Sequence, residues 1–272
     1  MSPRDSPEPV GRNDTPAPWA RYVAIGDSFT EGIGDPEPRV PGGFRGWADR
    51  VAEVLAERRD DLAYANLAIR GRLLQQILDE QVEPALALTP DLVTISAGGN
   101  DIIRPGTDPD EVAGRLEAGV ARLRSGGATV VMFNGPDIGR TPVLGLLRGK
   151  VAIYNENLRT IAARHGVVVA DMWSLRELVD PRMWAPDRLH FSPVGHQTIA
   201  RMVLDTLGVA HGLEPFAADP LPPQTWRRAR VEDLDWAREY FAPWVLRRLR
   251  GTSSGDGITP KRPEPGRVRP EG

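Results

Sequence analysis

The chain has 272 residues, 40% of them apolar and 26% charged, which is ordinary for a globular protein and enough for one sizeable α/β domain or two small ones. Its net charge of −3, from 34 basic and 37 acidic residues, is unlike the strongly basic composition of many nucleic-acid-binding proteins, and we predict no nucleic-acid partner. Cysteine is absent, which excludes disulfides, thiolate catalysis and cysteine-based zinc sites.

The N-terminal residues 1–18 are rich in proline and charge and lack the apolar core of a signal peptide. We predict that they form a disordered leader, because so few apolar side chains cannot support a folded core. No run in the chain approaches the roughly 18 apolar residues that a membrane span needs. These features favour a cytoplasmic protein without a membrane span.

Between residues 21 and 208, short apolar runs alternate with segments of helical apolar spacing. The runs predict strands at residues 21–27, 62–69, 91–97, 129–134 and 167–172. The helical spacing predicts helices at about 43–59, 72–88, 109–125, 146–164 and 193–208. Pro84 is expected to break or kink the second helix. Repeated βαβ units predict an α/β fold, with five parallel strands and helices on both faces of the sheet.

The first strand ends abruptly at Gly26-Asp27-Ser28. A serine directly after a core strand is well placed to act as a nucleophile, because the strand holds its backbone and the turn exposes its Oγ. The segment does not match the G-x-S-x-G nucleophile elbow, since Thr30 stands two residues after Ser28. A second interpretation stays open at this point, namely that Ser28 only caps the start of a helix.

Polar clusters follow three of the predicted strands, at Ser28, at Gly71 and at Gly98–Asp101. The carboxyl ends of parallel strands meet at one edge of a sheet, where α/β proteins bind their ligands. Folding alone does not demand polar residues at all three ends. The arrangement therefore favours a functional site at this edge.

A serine nucleophile needs a base and a group that orients the base. Neither Lys150 nor Lys261 follows a strand, so a histidine is expected. His190 lies in a loop before the last helix, and Asp187 stands three residues earlier, where one turn brings its carboxylate to the imidazole. His196 is interpreted as a structural residue inside the last helix. His165 lies at a helix end, and His211 lies in a linker.

An oxyanion hole needs hydrogen-bond donors near the nucleophile. We assign this role to the backbone N–H groups of Ser28 and Gly71 and to the side-chain amide of Asn100. Glycine allows close approach of the backbone to a substrate, and an amide donates without titrating. Taken singly, Gly71 is explained as a turn glycine and Asn100 as a loop cap. Their joint placement at one sheet edge favours the functional interpretation.

Four segments resemble the conserved blocks of the SGNH, or GDSL-type, esterase and lipase superfamily, in the right order across about residues 21–208. They are Gly26-Asp27-Ser28-Phe29, Asn66 to Gly71, Gly98-Gly99-Asn100-Asp101, and Asp187-Arg188-Leu189-His190. Phe29 replaces the usual leucine of the first block, a common variation that leaves the chemistry intact.

The resemblance implies a flavodoxin-like three-layer α/β/α sandwich that hydrolyses esters through an acyl-enzyme. It implies that Ser28 is the nucleophile, His190 the base and Asp187 its orienting acid. The oxyanion hole would consist of Ser28, Gly71 and Asn100, while Asp27 and Asp101 would brace their loops. No metal or cofactor is implied, and the expected partner is a small-molecule ester.

The same triad also suits a carbohydrate O-deacetylase or an acyltransferase, because both pass through an acyl-enzyme. A non-catalytic binding module is disfavoured, because every catalytic position is filled. We expect the loops at 32–43, 102–108, 135–149 and 180–186 to shape the pocket. Their apolar side chains suggest an acyl site formed by Leu144, Leu146, Met183 and Trp184.

The predicted catalytic domain covers residues 19–210, and a C-terminal helical extension follows over residues 211–250. Within it, Val231 to Ala242 shows helical spacing, with Trp236 and Tyr240 beside the apolar stripe. Aromatic and basic residues of this kind suit weak contact with a membrane surface. We prefer the interpretation that the helix packs on the domain. Residues 251–272 contain mostly glycine, proline and charge, and are predicted to be a disordered tail.

Overall fold

A computed structural model describes residues 17–141, 144–217, 236–241 and 253–268. Within these ranges one six-stranded sheet forms, in the order β5-β4-β3-β1-β2-β6. Its strands are β1 (Arg21–Gly26), β2 (Ala63–Asn66), β3 (Leu92–Ser96), β4 (Thr129–Phe133), β5 (Val168–Ala170) and β6 (Arg262–Arg267). The first five strands are parallel to one another and follow the flavodoxin-like order, which confirms the predicted fold class.

Helices cover both faces of this sheet and give the three predicted layers. The helices are α1 (Ser28–Glu31), α2 (Gly46–Arg58), α3 (Leu74–Ala87), α4 (Gly99–Ile102), α5 (Pro109–Ser125), α6 (Arg148–His165) and α7 (Pro193–Thr206). On one face α2 and α7 pack together over a core that includes Trp47 and Ile199. On the other face α3, α5 and α6 bury residues such as Ile77, Leu116 and Leu158.

The helix boundaries follow local signals in the sequence. Asp108 caps α5 by accepting a hydrogen bond from Asp110 N, and Pro109 occupies the first turn, where its missing N–H is not needed. Ser192 caps α7 in the same way. Of the predicted break or kink at Pro84, the break is wrong, because α3 continues through this residue to Ala87. Because Pro84 has no N–H to donate to the Glu80 carbonyl, α3 lacks one of its backbone hydrogen bonds in the turn before Pro84.

The sixth strand corrects two predictions, the five-stranded sheet and the disordered tail over residues 251–272. Arg262–Arg267 pair antiparallel with β2 and occupy the edge of the sheet. Pro263 and Pro265 are compatible with an edge strand, because an edge strand leaves some N–H groups unpaired. The two prolines also interrupt the alternation of apolar and polar residues by which a strand is recognised in a sequence. Backbone groups that β2 would otherwise expose are paired by this addition.

Other predicted segments lie mainly outside the described residues. Of the predicted leader only residues 17 and 18 are described, and Ala17 is buried. Of the predicted helix at Val231 to Ala242, residues 236–241 are described, and Ala237–Phe241 form a π-helical turn. Among the helices in the described ranges, none is both long enough and apolar enough to cross a membrane.

Lys261 anchors the C-terminal segment in the interior of the domain. Its Nζ lies 3.0 Å from Asp49 Oδ1, with the two side chains 2% and 1% exposed. The same Nζ donates to the carbonyls of Phe44 and Arg45, at 2.8 and 2.9 Å. Burial lowers the pKa of Lys261, although the ion pair with Asp49 opposes this change. The segment is therefore an integral part of the fold.

We expect Lys261→Met to lower the free energy of unfolding by about 3–5 kcal/mol, because it leaves the Asp49 carboxylate buried without its cation. Urea denaturation of the full chain measures this loss. Lys150→Met is the matched control, since Lys150 is the chain's other lysine and donates to the Thr107 carbonyl without a buried ion pair. Equal losses in the two variants would contradict the prediction.

Candidate active site

Ser28 is the first residue of α1, in the turn that follows β1. Asp27 caps this short helix, because its Oδ1 accepts a hydrogen bond from Phe29 N at 3.1 Å. A helix does begin here, as the capping interpretation expects, but the capping residue is Asp27 and not Ser28. The Ser28 hydroxyl instead lies 3.0 Å from His190 Nε2.

The loop from Asp187 to His190 is organised around one carboxylate. Asp187 Oδ1 accepts hydrogen bonds from the backbone N–H groups of Leu189 and His190, each at 3.0 Å. Its Oδ2 lies 2.6 Å from His190 Nδ1. Burial raises the pKa of Asp187, but the hydrogen bond and charge of His190 lower it by more, so the net pKa is below its ordinary value.

An ionised Asp187 accepts the Nδ1 proton of His190, which leaves Nε2 as the acceptor for the Ser28 hydroxyl. Asp187, His190 and Ser28 thus form a continuous hydrogen-bonded chain, although His190 and Ser28 are 162 residues apart. An isolated antiparallel bridge between Trp184 and Phe191 joins the two ends of this loop. A hydrogen bond from Ala185 N to the His190 carbonyl, at 2.8 Å, closes it.

Asn100 lies beside Asp27, at the start of the helix that follows β3. Its Nδ2 donates to Asp27 Oδ2 at 3.0 Å and to the Arg72 carbonyl at 3.1 Å. Burial raises the pKa of Asp27 to about 6, although the N–H of Phe29 and the charge of His190 oppose this change. Asp101 accepts from Leu74 N at 2.8 Å. Both aspartates therefore brace loops, as the sequence predicts.

Gly71 lies in the loop after β2, which runs alongside the turn of Ser28. Ile69 N donates to the Gly26 carbonyl at 3.2 Å, and Arg70 N donates to Glu31 Oε2 at 2.7 Å. Gly71 has a φ of +75°, which favours glycine, and a Cβ there would lie 2.3 Å from Ser253 Oγ. Gly71 does not line the pocket that opens next to Ser28, whereas Ser28, Asn100 and His190 line it.

A pocket of about 220 Å³ opens next to Ser28 and His190. Its wall is largely apolar and includes Phe29, Ile103, Phe133, Leu144, Leu147 and Trp184. Leu144 and Trp184 lie where the sequence suggests. The prediction that Met183 lines the pocket is wrong, because its side chain is fully buried in the core under α7. The prediction for Leu146 is also wrong, because the 3₁₀ turn Leu144–Leu147 leaves this residue 90% exposed. The neighbouring Leu147 lines the pocket in its place.

The other histidines have structural partners. His196 is fully buried, accepts from Trp47 N through Nδ1 and donates to the Ile33 carbonyl through Nε2, at 3.2 and 3.1 Å. Burial lowers its pKa to about 4, which keeps the ring neutral. His165 bonds Glu117 and His211 bonds Asp205, both away from the pocket. No group of three or more potential metal ligands occurs in the described part of the chain.

Trp236 is a residue of this region that sequence reasoning does not place in the site. Its Nε1 donates to the Asp187 carbonyl at 2.8 Å. The Arg188 guanidinium lies 5.3 Å from the centre of the indole ring. The only signal in the sequence is an aromatic residue beside the apolar stripe of a helix, which does not reveal the partner.

Comparisons with known proteins identify the family of this chain. Residues 24–198 match the GDSL-like Lipase/Acylhydrolase family. An arylesterase of Vibrio mimicus is 25% identical over 194 residues, which cover 69% of this chain and 88% of that protein.

Two solved structures share the fold. LAE5, an alpha/beta hydrolase enzyme from the metagenome of Lake Arreo, Spain, has a TM-score of 0.60 at 25% identity, covering 71% of this chain and 97% of that one. Axe2, an acetylxylan esterase from Geobacillus stearothermophilus, has a TM-score of 0.58 at 22% identity, covering 70% and 95%. The family match spans more than half of the sequence and contains Ser28, Asn100, Asp187 and His190. This chain therefore belongs to the GDSL-like Lipase/Acylhydrolase family.

Proposed function

We propose that this protein is a serine esterase that cleaves carboxylic esters through an acyl-enzyme. The observation that carries the proposal is the hydrogen-bonded chain from Asp187 through His190 to Ser28, which ends at the mouth of an apolar pocket. A nucleophile, a base and an orienting acid within hydrogen-bond distance are what acyl transfer to serine requires.

In the first step, His190 Nε2 takes the proton of Ser28 as its Oγ attacks the ester carbonyl. Asp187 stabilises the imidazolium that forms and holds the ring in the required tautomer. His190 then gives the proton to the leaving alkoxide, and the acyl group remains on Ser28. Water activated by His190 attacks this acyl-enzyme, releases the acid and restores the serine.

The oxyanion of each tetrahedral intermediate is assigned to the backbone N–H groups of Ser28 and Gly71 and to the Asn100 amide. Asn100 donates to Asp27 and to the Arg72 carbonyl in the resting arrangement. In the proposal, the amide turns one hydrogen from Arg72 to the oxyanion, while Asp27 keeps the side chain in place. Donors of this kind stabilise the transition state more than the ground state.

We propose that the apolar pocket receives the acyl chain of the ester. Its wall is formed by aliphatic and aromatic side chains from both sides of the sheet edge, and Asp27 is the carboxylate that contributes to it within the described residues. An acyl chain gains about 0.8 kcal/mol for each methylene buried, so longer chains are favoured until the pocket is full. The apolar pocket therefore favours esters of longer acyl chains over acetyl groups on carbohydrates.

Covalent trapping tests the proposal directly. A fluorophosphonate should inactivate the protein and add one adduct, located on Ser28 by peptide mass spectrometry. Hydrolysis of chromogenic esters with two to twelve acyl carbons should show an optimum above acetyl. An adduct on another residue would contradict the assignment of the nucleophile. Ester formation with an added alcohol, exceeding the release of free acid, would favour the acyltransferase alternative.

Leu147→Ala should lower the preference for octanoyl over acetyl esters, measured as the ratio of their kcat/KM values, by about three- to tenfold. The variant removes apolar contacts that only the longer chain makes. Leu146→Ala is the matched control, because this neighbour in the same turn is exposed and should change the ratio by less than about twofold. Equal effects of the two variants would place the acyl chain elsewhere.

A further inference from the structure

The C-terminal extension reaches the loop that carries the acid and the base of the proposed triad. Trp236 stands 49 residues beyond Asp187, and its indole N–H donates to the Asp187 carbonyl at 2.8 Å. The side chain of Trp236 is only 6% exposed. A tryptophan buried in this way usually has a partner for its N–H, and here the partner is the main chain of a proposed triad residue.

The same ring contacts the next residue of the loop. Arg188 has a φ of +54°, a left-handed conformation that is unfavourable for residues with a Cβ. Its guanidinium lies over the indole at 5.3 Å from the ring centre, in the arrangement of a cation–π contact. Trp236 therefore contacts the carbonyl group of the peptide between Asp187 and Arg188 and the side-chain guanidinium of Arg188.

This peptide lies inside the turn that the Asp187 carboxylate closes with the loop. Its Oδ1 is held by two N–H groups of the loop, and its Oδ2 reaches His190 Nδ1. A rotation of the peptide would turn the carboxylate away from the imidazole and remove the control of its tautomer. Small displacements of a catalytic group can cost large factors in rate.

We propose that Trp236 is a positioning residue for the triad, which holds the Asp187 carbonyl so that the carboxylate stays hydrogen-bonded to His190. This inference rests on the proposed serine-esterase function. It also assigns a role to the extension beyond the α/β domain, since the full catalytic rate then requires a residue that lies outside the segment matched by the family.

Trp236→Phe in the full chain tests this role, because phenylalanine keeps an aromatic ring and removes the N–H donor. We expect kcat for a short-chain chromogenic ester to fall about three- to tenfold, as for the loss of one hydrogen bond, with KM within about twofold of wild type. Trp236→Ala also removes the ring beneath Arg188 and should lower kcat further.

Trp19→Phe is the matched control. The Trp19 indole donates to Thr129 Oγ1 at 3.1 Å, near the amino end of β4 and at the opposite edge of the sheet. This variant loses a comparable hydrogen bond and should keep kcat within about twofold. The thermal midpoints of both variants show whether their effects on stability are alike. Equal losses of kcat in the two variants would overturn the positioning role.

A double-mutant cycle separates action through Asp187 from a general effect. In an Asp187→Asn background, adding Trp236→Phe should change kcat by less than about twofold. A second loss as large as that in wild type would overturn the inference. If Ser28→Ala abolishes activity while Trp236→Phe leaves kcat unchanged, the proposed function stands and this inference fails. If Ser28→Ala remains active, both fail.

Discussion

The Ser28→Ala variant is expected to lose ester hydrolysis, with kcat lower by a factor on the order of 10⁶. The hydroxyl that lies 3.0 Å from His190 Nε2 is the atom that forms the covalent bond to the acyl group, and alanine offers no replacement. Binding should change little, because the pocket wall is otherwise intact. Steady-state kinetics on chromogenic esters measure the loss, and substrate binding to the variant is measured separately.

Ser125→Ala is the control for this variant. Ser125 is an exposed serine at the end of α5, whose hydroxyl donates to the Arg122 carbonyl far from the pocket. Its replacement should leave kcat unchanged. Activity that persists in Ser28→Ala would reject Ser28 as the nucleophile. Its place would then be explained by the short helix that Asp27 caps, and the non-catalytic interpretation would gain support.

The Asp187→Asn variant should lower kcat by about 10⁴. Asparagine keeps the shape of the side chain but presents an N–H donor to His190 Nδ1. The imidazole then carries its proton on Nε2, where it cannot accept the proton of Ser28. The loss should appear in kcat more than in KM, because the Asp187 carboxylate acts through His190 and not on the substrate.

Asp205→Asn is the control for this second variant, because it alters another aspartate–histidine pair. Asp205 Oδ1 lies 3.1 Å from His211 Nε2, outside the pocket. This change should leave kcat within about twofold of wild type. An Asp187→Asn variant that retains a tenth or more of the wild-type kcat would show that the tautomer of His190 is controlled by another group.

Much of the fold follows from local patterns. The β-branched runs predict β1 to β5, and helical spacing predicts the five long helices, with ends within a few residues of those observed. These patterns work because a strand or an amphipathic helix needs its apolar side chains at a set period. The β6 strand has no such pattern, since prolines interrupt it, and it forms because β2 offers an unpaired edge.

The candidate site, like the fold, was predicted from the sequence only in part. The parallel sheet brings residues after its strands to one edge, which is why the sequence predicts Ser28, Gly71 and Asn100 together. His190 is predicted from its loop before the last helix and from its spacing of three residues to Asp187. Their catalytic roles stay predictions. The individual residues of the pocket wall could not be predicted, because a shift of one position in a 3₁₀ turn decides whether Leu146 or Leu147 lines the pocket. Apolar character alone does not say which side of a turn faces inward.

By itself, the amino-acid sequence determined the order along the chain of the first five strands and the five long helices, the class of fold and the four segments that carry the family resemblance. Each depends on spacing and residue type within a few neighbours, which a sequence displays directly. Only the tertiary structure decided that Lys261 neutralises Asp49 and that Trp236 holds the loop of Asp187. Such contacts join residues far apart in the chain, and their partners depend on how the whole domain packs.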